Sequence, residues 1–342
     1  MANILLTNKC VRECPYCFAG EEMAQSPSSE FIAWENIVYL ADLLAASGEK
    51  RVSLLGGEPS LHPEFVDILA YFIERGFNVS VFTCGIMSKA RLDALAQHVA
   101  GHSIARVTFV CNVNNPTQTK THESEIEKLE AFLAALGRWT MPAFNIYRPD
   151  FEIDFIFDLI ERHGLKKRLR LGIAHPIPGA NNASIEVWQI AGVITRLCGY
   201  RSEFERLRIK LTFDCGFPLC QVSDEQLGWL TRLSGHMNFK CHPAIDFTPD
   251  MQVYCCFPLA TLAKKSVFDF NSFKEINDHY RKLQDRLRGE IPGIYDECAA
   301  CCHRSERTCA GGPACQIANR LANESPNRLR DIEHEQLEAR LS

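Results

Sequence analysis

The chain has 342 residues, a net charge of −5, 46% hydrophobic residues and 23% charged ones, enough for one large α/β domain and a smaller one. It lacks the basic surplus of a general nucleic-acid binder. Its start, MANILLTNKC, shows no export segment, and no apolar run is long enough to span a bilayer. A cytoplasmic protein with neither nucleic acid nor membrane as partner is expected.

In chain order, Ile4-Leu5-Leu6 reads as a short buried strand ending at a cysteine cluster. Residues from about 30 to 46 read as a helix capped by Ser28 or Ser29, and Val52 to Leu55 as a strand closed by a Gly-Gly turn. Phe65, Ile68, Leu69 and Phe72 share a helical face after Pro63, and Gly76 stops that helix. Val79 to Phe82 is a strand, about 88 to 98 a helix, and Val107 to Val110 a strand. Ile126, Leu129, Phe132, Leu133 and Leu136 form an amphipathic stripe. A strand at Phe144 to Tyr147, a helix at Ile153 to Arg162 stopped by Gly164, and a strand at Leu169 to Ile173 follow. Six strands separated by helices predict a parallel sheet with its functional residues at the C-terminal strand ends. Beyond about Ala183 a long helix reaches about Arg206, and a strand covers Ile209 to Phe213. From Cys215 the chain is rich in cysteine and loops. The expected division is a barrel over 1–206, a cysteine-rich unit over 207–325 and a charged helix over 326–342.

Sixteen cysteines are the unusual feature. Their short spacings, in a large chain without an export signal, favour metal ligation over disulfides. Cys10, Cys14 and Cys17 form a Cys-x3-Cys-x2-Cys run directly after a strand. Three thiolates so placed can hold three irons of a cubane, leaving the fourth iron open to a ligand. The alternative is a zinc site that borrows a fourth ligand.

The run resembles the signature of the radical S-adenosylmethionine (SAM) superfamily. The resemblance continues through Gly56-Gly57-Glu58-Pro59 at the second strand end and Thr83-Cys84-Gly85 at the third, over roughly residues 3 to 175. It implies a partial (β/α)6 barrel of TIM type. It also implies a [4Fe-4S] cluster on Cys10, Cys14 and Cys17, with SAM chelating the open iron. Tyr16 would lie beside the adenine, and Gly56, Gly57 and Glu58 would meet the methionyl amino group. Thr83 and Asn112 would face SAM from their strand ends. Relatives commonly carry Asn where Cys84 stands, and Ser-x-Asp-Gly where Asn112, Asn114 and Asn115 stand. These asparagines serve equally well as a turn before Pro116. In the family, one electron from the reduced cluster cleaves SAM to methionine and a 5′-deoxyadenosyl radical, which takes a hydrogen atom from the substrate. An external one-electron reductant is therefore implied.

Eight further cysteines resemble the SPASM extension of such enzymes, which holds one or two auxiliary [4Fe-4S] clusters. They are Cys215 and Cys220, Cys241 and Cys256, Cys298 and Cys301, and Cys309 and Cys315. Met251 stands where a Gly is customary, and the usual last Cys is missing; Cys215 and Cys220 could make up the number. One auxiliary cluster, or a zinc site at Cys298 and Cys301, is the alternative. Cys198 reads as a small core residue. Cys84 and Cys111 are left without a role. Cys255 and Cys302 each neighbour a ligand candidate; each is a packed thiol, a substitute ligand, or a hydrogen-atom donor to a substrate radical.

His62, His163 and His175 read as packed or capping residues. Asp246 and Asp250 suit a turn better than a base beside a cluster. Phe257 follows Cys256 where sulfatase-maturing relatives carry an acid, which argues against that activity. The expected function is radical modification of a peptide by crosslinking, epimerisation or oxidation, with a leader docked directly or through a separate binding protein. The alternative is a radical SAM dehydrogenase, or a related enzyme, acting on a small metabolite. A third possibility is a non-enzymatic iron–sulfur electron carrier or scaffold.

Overall fold

The computed structural model describes residues 2–20, 30–118, 122–178, 181–235, 241, 244–329 and 332. Ser28, Ser29 and most of the charged segment expected at 326–342 lie outside the described residues.

Seven parallel strands run in chain order: β1 (Ala2–Leu5), β2 (Arg51–Leu55), β3 (Asn78–Thr83), β4 (Val107–Asn112), β5 (Thr140–Ile146), β6 (Arg168–Ile173) and β7 (Lys210–Phe213). Between them lie α1 (Trp34–Ala46), α2 (Phe65–Glu74), α3 (Lys89–Val99), α4 (Glu123–Leu136), α5 (Asp154–His163), α6 (Ile190–Cys198) and α7 (Arg201–Leu207). The next strand, β8 (Ile245–Phe247), joins the opposite edge and pairs parallel with β1. The antiparallel strands β9 (Gln252–Cys255) and β10 (Lys265–Ser266) complete a sheet in the order β10-β9-β8-β1-β2-β3-β4-β5-β6-β7. The sheet is thus continuous across residue 207. The C-terminal region adds α8 (Asp224–Ser234), α9 (Phe273–Glu290), the single turn α10 (Cys302–Ser305) and α11 (Ala314–Glu324). The expected partial barrel with a cysteine-rich extension is the observed architecture.

Alternation along the strands builds two unlike faces. Val52, Leu54, Val79, Val81, Phe109 and Leu171 are buried in the core with the apolar faces of the helices, such as Leu40, Leu69 and Phe132. The other face is polar. Asp246, Asn3, Ser53, Ser80 and Thr108 stand side by side in register across five strands. Asn3 Nδ2 donates to Asp246 Oδ1 at 2.7 Å, and Lys166 Nζ donates to Thr108 Oγ1 at 2.7 Å.

Several boundaries differ from the sequence reading. Helix α1 begins at Trp34, with Ala33 at its N-cap, because Phe31 is extended and bridges Thr7. Strand β5 begins at Thr140, and Pro142 sits within it opposite Cys111, where a proline argues against a strand. The long helix to Arg206 is two helices, α6 and α7, separated at Gly199 and Tyr200. Asp246 lies in a strand rather than a turn, whereas Asp250 accepts a hydrogen bond from the Thr248 hydroxyl in the turn between β8 and β9.

Candidate functional site

The loop from Thr7 to Cys17 leaves β1 and lies across the end of β2. Gly57 N donates to Thr7 O at 2.9 Å and Glu58 N to Lys9 O at 2.7 Å. Contact here is backbone on backbone, and this explains the glycines. A Cβ on Gly56, whose φ is +149°, would stand 2.4 Å from Thr7 O, and one on Gly57 would stand 2.0 Å from Lys9 O. The glycines therefore seat the cysteine loop, a role that the sequence reading did not include.

Glu58 is buried and fully engaged. Its Oε1 accepts from Thr83 Oγ1 at 2.8 Å and from Ser60 N at 3.2 Å, and its Oε2 accepts from Cys84 N at 2.8 Å. Thr83 Oγ1 in turn accepts from Gly85 N at 3.0 Å. The ends of β2 and β3 are thus locked around one carboxylate, and Glu58 and Thr83 form one unit.

Cys10, Cys14 and Cys17 sit at this mouth. Cys17 N donates to Cys14 O at 3.0 Å, folding the loop tightly. The Cys10 thiol is pushed up to about 11, first by loss of solvent around the sulfur and then by the charges of Glu58, Cys14 and Cys17, against a backbone hydrogen bond at Arg12 that lowers it. Burial, with Cys14, also raises Cys17. Thiols that raise one another are poor neighbours as bare thiolates, and bound iron reverses that balance by its positive charge.

Tyr16 is buried, stacks on Tyr147 with ring centroids 4.9 Å apart, and donates to Asn114 Oδ1 at 2.9 Å. Asn115 forms the turn, its Oδ1 accepting from Thr117 N at 2.9 Å and from Thr117 Oγ1 at 2.7 Å. Asn112 differs from both. Its Oδ1 is buried without a partner among the described residues, an open acceptor at the strand end. Arg12 was missed by the sequence reading. Its side chain is only 8% exposed and donates to Glu125 Oε2 and to Asn112 O, both at 3.2 Å. A cation inside a cysteine loop was the available signal.

The C-terminal thiols fall into two groups. The first holds Cys215 after β7, Cys241, Cys255 and Cys256 at the end of β9, and Cys315 at the start of α11. Burial raises Cys215 most, followed by Cys315 and Cys241; Cys315 is raised by burial, then by Cys241. Cys256 is held in a strained conformation with φ +53°. Its neighbour Cys255 is buried and accepts from Gln284 Nε2 at 3.1 Å, a packed position. Met251, in the customary Gly position, keeps the left-handed conformation, with φ +59°, while its side chain enters the core. The second group holds Cys220, Cys298 and Cys309, with Cys301 and Cys302 in the same turn region. Among the described residues no three His, Cys, Asp or Glu side chains close on one point, as ligation of a lone tetrahedral ion requires. A cubane spreads its thiolates over four corners. The donor sets at the mouth and in the C-terminal region fit such clusters in kind, being thiols throughout.

Other candidates take quieter places. Cys111 is buried on the helix-facing side of β4, 3.3 Å from where a Cβ on Gly85 would stand, and Cys198 is half-buried on α6. His62 bonds Ile32 O at 2.9 Å, and His163 meets Glu130 Oε2 at 2.7 Å. His175 is buried after β6, its Nδ1 3.0 Å from Gln316 Nε2 on α11, and burial pushes it down to about 4. Arg170, within β6, and Asp214, just after β7, pair at 2.5 Å, with Asp214 immediately before Cys215.

The profile of the Radical SAM superfamily matches residues 4–136. Molybdenum cofactor biosynthesis protein 1 of Mus musculus is 39% identical over 96 residues, 28% of this chain and 15% of that protein. PqqA peptide cyclase of Methylorubrum populi is 30% identical over 176 residues, 50% of this chain and 44% of that protein. The chain therefore spans less than half the length of these relatives. Among solved structures, SuiB of Streptococcus suis bound to precursor peptide SuiA superposes with a TM-score of 0.56 at 12% identity, over 79% of this chain and 62% of that one. Native anSMEcpe with bound AdoMet gives a TM-score of 0.63 at 15% identity, over 98% of this chain and 100% of that one. These likenesses are of fold, and the last extends through the cysteine-rich C-terminal region. Among the described residues no helix is long and apolar enough to cross a membrane.

Proposed function

Because this chain belongs to the radical SAM superfamily, we propose that it is an enzyme that cleaves SAM reductively and uses the radical to modify a residue within a peptide. The observation that carries this reading is the seating of the three-cysteine loop on Gly56, Gly57 and Glu58, with two further thiol groups carried by the same chain. A [4Fe-4S] cluster and SAM, when bound, supply a hydrogen-abstracting organic radical. Cys10, Cys14 and Cys17 would hold that cluster.

The protein's own work is placement. Gly56 and Gly57 let the cysteine loop rest on the end of β2. Glu58, fixed by Thr83, Ser60 and Cys84, sets a buried negative charge where the resemblance puts a cationic amine. Asn112 Oδ1 offers an acceptor, and Tyr16, clamped by Asn114 and Tyr147, closes one wall. Arg170 and Asp214 place a charge pair directly before Cys215.

The peptide substrate rests on the similarity to PqqA peptide cyclase, which runs through half of this chain. The similarity to molybdenum cofactor biosynthesis protein 1 is higher in identity but covers 28% of the chain, and it favours a small-metabolite substrate as a second reading. The test is anaerobic reconstitution with iron and sulfide, followed by SAM, a low-potential reductant and a peptide encoded beside the gene. The expected result is 5′-deoxyadenosine together with a mass change on the peptide. No 5′-deoxyadenosine under reducing conditions overturns the enzymatic reading. Production of 5′-deoxyadenosine that couples only to a small metabolite replaces the peptide by the second reading.

A further inference from the structure

The second C-terminal thiol group has four cysteines in its own segment, Cys298, Cys301, Cys302 and Cys309, of which Cys302 opens the single turn α10 and is exposed. Cys315, by contrast, lies apart from that stretch in α11. The fold brings a thiol from elsewhere. Cys220 lies in the short turn Leu219–Gln221, far upstream in sequence. The next residue fastens that turn to the second group: Gln221 Nε2 donates to the Tyr295 hydroxyl at 2.9 Å. Tyr295 is itself tied to the ligand turn, because Cys298 N donates to Tyr295 O at 3.2 Å, and to the barrel side, because its hydroxyl donates to Val187 O at 3.4 Å.

Within this arrangement Gln221 Nε2 lies 3.9 Å from Cys220 Sγ as well as 2.9 Å from the Tyr295 hydroxyl, so the Cys220 sulfur lies beside the residue that is tied to the Cys298 turn. The space at the second group is prepared by glycine. A Cβ on Gly293 would stand 2.7 Å from Cys298 Sγ and 2.8 Å from Gly311 O. Gly311 N points at Cys309 Sγ, 3.4 Å away, a donor of the kind that supports cluster thiolates.

We propose that Cys220 supplies the fourth thiolate of a second auxiliary iron–sulfur cluster held by Cys298, Cys301 and Cys309. This assignment rests on the reading that the C-terminal thiols hold clusters, and the experiment separates the two.

The chain, in its metal-free and its anaerobically reconstituted forms, is treated with iodoacetamide without denaturation, and every cysteine is quantified by peptide mapping. Cys220 and Cys302 are both exposed in the polypeptide, so both are open to the reagent in the metal-free chain. In the reconstituted chain Cys220 should be protected at least tenfold, together with Cys298, Cys301 and Cys309, while Cys302 remains reactive. Cys220→Ser should then lower the iron content from about twelve per chain toward eight, or leave a three-iron signal in electron paramagnetic resonance, and Cys302→Ser should do neither. Protection of Cys298, Cys301 and Cys309 with Cys220 still reactive overturns the assignment and leaves the cluster reading standing. Protection and iron loss that follow Cys302 instead overturn it as well. Reactivity at all four positions removes the second cluster and the assignment together.

Discussion

The cysteine loop at the barrel mouth and the C-terminal thiol groups solve one problem in opposite ways. At the mouth, three thiols come from a single short loop, and the fold contributes a seat: two glycines and a locked carboxylate on neighbouring strand ends. In the C-terminal region the thiols of one group come from β7, β9, α11 and the connection near residue 241, and the fold contributes the meeting itself. The difference teaches where sequence spacing stops being informative. A local loop encodes its ligand set in its own spacing, whereas a dispersed set is encoded only by the packing of the elements that carry it.

The sharpest way to break this comparison is Cys14→Ala. It should abolish 5′-deoxyadenosine formation to background while leaving the C-terminal irons in place; persisting cleavage would remove the mouth from the mechanism. Next is Gly57→Ala. Its methyl would fall 2.0 Å from Lys9 O, so the loop must shift. Iron analysis should show loss of about four irons per chain, from the mouth alone. Full loading would show that the seat is dispensable.

His175 tests the contact between the regions by pH. Burial lowers its folded pKa to about 4 from an ordinary 6.5, so the native state favours the neutral ring. The unfolded chain therefore binds the extra proton first as pH falls from about 6.5 toward 4, and stability is lost across that window, by up to about 3 kcal/mol. Urea unfolding of the metal-free chain at pH 7 and pH 5 should show this slope, and His175→Phe should flatten it. An unchanged slope in the variant would mean that His175 is not the titrating group. The smallest effect is expected at Cys198→Ala. This half-buried thiol on α6 should change stability by about 1 kcal/mol or less and leave the iron count untouched, unlike a ligand.

Legibility followed the same divide. Strands β1 to β7 and most of the intervening helices were readable because each carries its own period of apolar residues. Thr140 to Ala143 was not, because Pro142 contradicts strand propensity, and only its neighbours β4 and β6 make the segment extended. Two helices were passed over although their start signals were present: Ser223 and Gln226 form a capping box for α8, and the Ser272 side chain caps α9 at Glu275 N. Strand β8 carried no such signal in three residues; its place beside β1 depends on a partner more than two hundred positions away. At the site, the residue types at positions 10, 14, 17 and 56 to 58 were informative. The lock between Glu58 and Thr83 and the assignment of thiols to two groups needed the packed strand ends.

The position of β8 has a consequence for the order of events during synthesis. One edge of β1 is covered by β2, but the other waits for residues 245 to 247. Contacts of such sequence separation form late. Until they do, the strand that feeds the three-cysteine loop has an unpaired flank, which pairing with another chain would occupy if left unguarded. The nascent chain therefore passes through a long interval in which its first cysteines are already made and their supporting strand is still open on one side. That interval is the time of greatest exposure to misassembly.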